Sequence, residues 1–327
     1  MHDLKWYMTK TIGAVHVLFL GVAVLIGGMG CSEQATQPLR LGTNLWPGYE
    51  PLYLAEHQRQ WGRDEVRLVS LPSASEVLRS FRNKSLEAAA LTLDEALVLL
   101  DSGVPVQVIL VLDVSDGGDV ILARPEISDF SALKGKKIGV EAGALGAYVL
   151  SRALELNDMQ LSDVQIERLE VNAHENAYLS GHIDAAVTFE PVRTRLLSAG
   201  AHEVFSSREI PGEIVDVLVV HEEVLSQQQE NIRKLVEGWF YALDFKQKEP
   251  QQAAEIIGQR LKISTQEVIA SYEGLRLPDR NENGRMLLGP NAKLLPAVQR
   301  LHATMLQQKL LAEKVATDNL LNAKFVE

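Results

Sequence analysis

From Leu39 onward, short apolar runs of strand length alternate with segments of helical periodicity. "LRLGTNL" (39–45) reads as a strand and "PLYLAEHQRQW" (51–61) as a helix; "EVRLVSL" (65–71) and "ASEVLRSFRNKS" (74–85) repeat the pair, as do "EAAALT" (87–92) and "DEALVLLDSG" (94–103). "VPVQVILVL" (104–112) is a continuous Val/Ile-rich run, the pattern of a strand buried on both faces. A second series follows: "KKIGVEAG" (136–143), helical "ALGAYVLSRALELN" (144–157), "QIERLEV" (165–171), helical "NAYLSGH" (176–182), "IDAAVTFE" (183–190) and helical "PVRTRLLSAG" (191–200). After "EIVDVLVVH" (213–221) the period changes, and 226–327 reads as almost wholly helical, with breaks at Pro250, around Pro278 and at Gly289-Pro290. Strands alternating with helices predict parallel βαβ units in two successive α/β bodies, followed by a helical tail.

The N-terminus has a different pattern. Lys5 and Lys10 precede an uncharged apolar stretch, Thr11 to Gly30, that runs into Cys31, the one cysteine of the chain. A charged start, an apolar core and small residues before a cleavage point make a secretory signal. With the cysteine directly after "LIGGMG", the segment resembles a bacterial lipoprotein signal, which implies lipidation, such as palmitate, on Cys31 and a mature N-terminus there. Gly30 fits that pattern, whereas Gly28 stands where it prefers Leu. The alternative is an uncleaved anchor, but His16 and five glycines make a poor spanning helix. Either reading puts 32–327 outside the cytoplasm on a membrane. Residues 31–37 then form a polar tether, and with one cysteine no internal disulfide can form.

Composition narrows the partners. Outside residues 1–30 there remain 30 basic and 42 acidic side chains. This excess of negative charge argues against nucleic acid and against an anionic bilayer surface, though a local pocket can still oppose the global sign. The length exceeds what one core usually serves, so two domains are expected.

"LRLGTNLWPGYEPLYLAEHQ", "DVSDGGDVILA", "LKGKKIGVEAG", "GHIDAAVTFEP", "IPGEIVDVLVV" and the tail from "GWFYAL" occur in one order across 38–327. In that order the chain resembles the substrate-binding proteins of the nitrate/sulfonate/taurine and thiamine-pyrimidine-precursor type, which serve ATP-driven importers. The resemblance implies a type II periplasmic-binding-protein fold: two lobes with parallel-rich sheets, joined by a two-segment hinge and closing like a jaw. Lobe one is expected to be discontinuous, 38–118 plus 219–327, and lobe two to be 119–218, with crossings near Asp113–Ile121 and Ile214–Val220. The implied partners are a small-molecule ligand and an ABC permease, with the protein a monomer.

In such sheets ligands sit beyond the carboxyl ends of strands, where helix N-termini gather. Trp46 and Tyr49 offer flat surfaces on the first such loop. Gly48 would let backbone approach a ligand, and with the resemblance Asn44 is expected to supply an amide. The alternative is that both aromatics belong to the core or pack between lobes. Ser73-Ala74-Ser75-Glu76 and Thr92-Leu93-Asp94-Glu95 have capping-box spacing; Ser73, Ser75, Thr92 and Asp94 either hold polar ligand atoms or only stabilise their helices. Gly117 and Gly118 in "SDGGD" are a turn and a candidate hinge. Asp119 and Asp216, each beside or within an apolar strand, need partners, from ligand or protein. Gly143 and Ala144 sit on a loop small enough to present bare N–H groups. In similar proteins the aromatic-Glu-Pro sequence at Phe189, Glu190 and Pro191 turns its Glu into the cleft, so Glu190 is expected to do so; its alternative role is to cap the helix that Pro191 opens.

No catalytic set stands out. There is no G-x-S-x-G elbow and no histidine pair at metal-ligand spacing, so neither enzyme activity, nor a metal, nor a cofactor is expected. A tethered ligand sensor without transport is the alternative function. Carboxylates outnumber basic groups at the candidate junctions, which favours an amine-bearing or heteroaromatic ligand over a sulfonate or nitrate-like anion.

Overall fold

The computed structural model describes residues 37–141 and 144–327. The signal segment, Cys31 and Gly143 lie outside the described residues, as does the side chain of Ala144. Pro38–Glu327 form one compact unit. It contains two sheets.

The first sheet is built from β1 (Leu39–Thr43), β2 (Val66–Ser70), β3 (Ala88–Thr92) and β4 (Val106–Ser115). The second takes β5 (Val120–Ala123), β6 (Lys137–Val140), β7 (Gln165–Arg168), β8 (Ala185–Thr188) and β9 (His202–Ser206). The chain then returns to the first with β10 (Val215–His221) and β11 (Leu275–Arg276). The strand orders are β11-β4-β10-β3-β1-β2 and β7-β6-β8-β5-β9.

Each sheet has three parallel strands, β2-β1-β3 and β7-β6-β8, continued by an antiparallel strand, β10 or β5. The sheets are thus parallel-rich, as expected, and antiparallel strands make each of them mixed. The antiparallel strands are the two that follow a crossing between sheets, and such a strand enters from the opposite edge. Both are apolar enough to be buried throughout, so periodicity cannot reveal their direction.

The helices between the strands are α1 (Glu50–His57), α2 (Ala74–Arg82), α3 (Leu93–Asp101), α4 (Ala144–Leu156), α5 (Val171–Leu179) and α6 (Val192–Ser198). The later region adds α7 (Val224–Gln227), α8 (Gln229–Lys248), α9 (Pro250–Leu261), α10 (Thr265–Ser271), α11 (Arg280–Leu287) and α12 (Leu295–Gln307). The tail is therefore helical as expected up to Gln307, but 308–327 carry no helix. Leu321 instead bridges to Val108 on β4, and Phe325 and Val326 join the first core.

The crossings lie between β4 and β5 and between β9 and β10. The second falls within 207–214, earlier than the expected boundary at 219, because β10 pairs with β4 from Val215 onward. Serine hydroxyls tie the two crossings together: Ser115 Oγ and Ser207 Oγ are 2.9 Å apart, and the Gly117 N–H donates to Ser207 Oγ at 2.6 Å. Gly117 has φ +105°, which favours glycine. A Cβ on Gly118 would lie 2.8 Å from the Trp46 ring and 3.2 Å from the Gly274 carbonyl oxygen, so only a bare backbone fits between them.

Candidate binding site

The strand directions bring both sheets' chemistry to facing edges. β1 and β3 end on this edge, at Thr43 and Thr92, and β4 runs the same way; β10, running opposite, begins there. Asp216 on β10 is thus flanked by Thr92 on β3 and Asp113 on β4. Across from them, β6 leads to Glu141, β8 to Phe189, and Asp119 precedes β5.

A cavity lies between these edges. From the first-sheet side it is lined by Asn44, Trp46, Tyr49, Ala74, Thr92, Glu95 and Asp216. From the second-sheet side come Glu141, Leu145, Gly146, Val149, Val187, Thr188 and Phe189, with Asp119 at the crossing. Its volume is about 40 Å³, room for a few waters. Trp46 and Phe189 meet edge to face at 5.4 Å across the cleft. The Ser75 N–H and hydroxyl donate to Glu141 Oε1 at 3.0 and 3.1 Å, also from one side to the other.

The lining carries four carboxylates, Glu95, Asp119, Glu141 and Asp216, and no Lys, Arg or His. Behind them Asp113 accepts a hydrogen bond from Trp46 Nε1 at 3.0 Å, and Asp216 accepts one from the Tyr49 hydroxyl. Burial raises the pKa of both; the charge of Asp113 raises Asp216 further, whereas the hydrogen bond between them lowers Asp113, so at neutral pH the pair favours holding a proton. Burial likewise raises Asp94 and Glu95, which repel each other at the start of α3. Asp119 is pushed up to about 7 by burial. Its Oδ2 is buried without a hydrogen-bond partner, as is Thr188 Oγ1. Both are groups a ligand donor or acceptor could satisfy.

The structure separates the expected site residues into two groups. Asn44, Trp46, Tyr49, Thr92, Asp119, Phe189 and Asp216 line the cavity. Gly48, Ser73, Ser75, Asp94 and Glu190 do not. Gly48 makes room for Asp113, whose Oδ2 would be 1.8 Å from a Cβ there, and not for a ligand. Ser73 caps α2 by accepting the Glu76 N–H. Asp94 is buried at the first turn of α3.

Glu190, expected to face the cleft, turns the other way. It accepts the Thr194 N–H at 3.1 Å and pairs with Arg193 at 3.3 Å, so its carboxylate caps α6. Glu95 and Glu141 were missed. Glu95 was visible as the last residue of a capping box, and in the structure it accepts the Thr92 N–H at 3.0 Å. Glu141 was visible just past a strand, where ligand groups gather, but nothing in the sequence joins it to Ser75.

The model of the NMT1-like family matches residues 32–260. The chain belongs to the NMT1-like family. Proteins of Brucella abortus and Brucella suis, each named as a candidate binding protein, are similar to this NMT1-like chain at 26% identity over 153 residues, 44% of this chain and 47% of theirs. The chain thus matches over about half the length of these curated relatives.

Among solved structures, the NMT1-like chain is similar to the alkanesulfonate-binding protein SsuA of Xanthomonas axonopodis pv. citri bound to MOPS. The TM-score is 0.73 at 16% identity, covering 86% of this chain and 97% of that one. The aliphatic sulphonate-binding SsuA of Escherichia coli gives 0.70 at 17%, covering 89% and 99%. The desulfurization enzyme DszB gives 0.63 at 18%, covering 88% and 97%. These likenesses establish the periplasmic-binding-protein fold, which carries both binding proteins and an enzyme.

Proposed function

We propose that this NMT1-like protein is the solute-binding component of an ABC importer. It works outside the cytoplasm as a monomer, is held to a bacterial membrane through lipid on Cys31, and captures a small molecule by closing two lobes. The lobes are the two sheets with their helices, hinged at 116–119 and 207–214. Two acyl chains would hold it firmly, whereas one binds marginally. The ligand is amine-bearing or heteroaromatic, rich in N–H donors. It is bound and released unchanged.

One observation carries the choice of ligand: four carboxylates line the cleft with no basic side chain among the described lining residues. A buried anion there would find no basic partner, whereas an ammonium or ring N–H would find Asp119 Oδ2 without a partner. Trp46, Tyr49 and Phe189 suit a flat or cationic body.

Native mass spectrometry of the purified protein, followed by calorimetry with protonated amines, amino-heteroaromatics and sulfonates, tests this reading. We expect the first two classes to bind at about −8 kcal/mol, a micromolar affinity, and sulfonates not to bind. A sulfonate bound in preference to every N–H donor would overturn it.

A further inference from the structure

The start of α2 is where an anion would be expected to bind in this cleft. Helix N-termini present free N–H groups and a positive dipole end. Here the N–H and hydroxyl of Ser75 point at a carboxylate, but that carboxylate belongs to the protein. It is Glu141, at the end of β6 on the opposite side of the cleft, and it lines the cavity beside Ala74, the first residue of α2. Glu141 is 7% exposed. Among the described residues no Lys or Arg stands within ion-pair distance of it, and its compensation comes from the Ser75 N–H and hydroxyl and from the Ala74 N–H.

Burial therefore holds its pKa up while the bonds from Ser75 pull it down. The arrangement fills the helix-borne anion position at the start of α2 with an internal carboxylate, and adds a negative charge to the wall any further anion would face.

We infer that Glu141 is a specificity-determining residue: it acts as a built-in anion that occupies the start of α2 when the lobes meet and so turns anionic solutes away. The inference rests on the reading of the cleft as selective for N–H donors and supplies its physical cause on the second-lobe side. The same contact joins the lobes, so it also serves closure. Glu141 follows β6 and, among the described residues, reaches the other lobe to find its side-chain hydrogen-bond donors.

Truncation to Glu141→Ala removes a CH2-carboxylate, a volume that acetate matches. Acetate is therefore the first probe and methanesulfonate the second, each titrated into full-length protein with chloride as the ionic-strength control. In the variant, acetate is expected to raise Tm saturably, by about 2–4 °C at tenfold excess over its Kd, with at least a tenfold gain in affinity over wild type for both probes. Ser75→Ala added to Glu141→Ala should reduce that gain, because one of the two donors is gone. Glu141→Gln keeps the shape without the charge, so it should remain blocked to acetate, and an acetate affinity in it equal to that of a cavity-bearing variant counts against the inference; this variant keeps the test open if the truncation folds poorly.

A folded Glu141→Ala protein that gains no affinity for either probe overturns the inference, as does an acetate response in wild type equal to that of the variant. The reading of the whole cleft fails separately, if wild type prefers a sulfonate to N–H donors.

Discussion

The two walls of the cleft are built from equivalent parts and do different work. Each is the carboxyl edge of a three-stranded parallel unit flanked by an antiparallel strand. The first-sheet wall is dense with buried polar groups: Asp94, Glu95, Asp113 and Asp216, with Tyr49 and Trp46 as their hydrogen-bond donors or neighbours. The second-sheet wall is largely apolar, with Leu145, Val149, Val187 and Phe189, and its one carboxylate in the cavity lining, Glu141, is spent on Ser75. A common topology thus supplies a polar floor and a greasy lid. What differs is which residue follows each strand, and the floor carries its charge at a cost in stability.

Replacing the aromatic on each side is the coarsest way to break this contrast. Trp46→Ala removes a buried ring and leaves Asp113 without its indole donor, so it should cost about 3–5 kcal/mol of folding stability. Phe189→Ala, in a half-buried residue, should cost about 1–2 kcal/mol. Equal losses in urea titrations would mean that both aromatics are merely packing.

Asp119, at the crossing between the two walls, tests whether the cleft's charge serves the ligand. Asp119→Asn should weaken binding of an N–H donor by about 2–5 kcal/mol. In the ligand-free protein the same change should raise Tm at pH 8, because it deletes a buried charge whose Oδ2 lacks a partner. Calorimetry and thermal melts on one preparation read both, and a variant that loses stability together with affinity would contradict this role.

The pH dependence follows from the same buried carboxylates. Asp119 titrates near 7 in the folded protein, above the roughly 3.9 of an unfolded aspartate. A carboxyl whose pKa is raised by folding contributes stability in full below its unfolded pKa and loses it as pH rises through the folded value. Asp216 and Glu95 are shifted in the same direction. The ligand-free Tm should therefore fall between pH 5 and pH 8, and less steeply in Asp119→Asn. A Tm that climbs over this range would mean the carboxylates are better paired than the geometry shows.

The smallest effect concerns Glu190. Glu190→Gln should change ligand affinity by less than about 0.5 kcal/mol and stability by about 1 kcal/mol, as for loss of a helix cap. A large loss of binding with the fold intact would put its carboxylate back in the cleft.

Much of this was legible in the chain. The apolar runs located most strands of the two sheets, though not β9 or β11; five lining residues lay at strand-to-helix junctions, and Asp119 and Asp216 lay at the crossing and within a strand. What stayed hidden was distance across the gap. Thr92-Leu93-Asp94-Glu95 showed a helix start, but not that Glu95 rather than Asp94 reaches the cavity, because one residue along a helix turns a side chain by about 100°. Glu190 and Glu141 both follow strands of the second sheet. One finds donors on its own helix and the other across the cleft, and only the relative placement of the lobes decides which. The final segment, 308–327, was unreadable for a related reason: its place is set by β4, some two hundred residues earlier.

The double crossing also dictates an order of assembly. β10 lies between β3 and β4, yet it leaves the ribosome 100 residues after β4 ends, at 215 against 115. Until then the first sheet has a gap at its centre, while the whole of the second sheet is already available to fold. The inserted body is therefore able to form as a self-contained unit during synthesis, whereas the half that carries the acids must wait with unpaired strand edges for its middle strand.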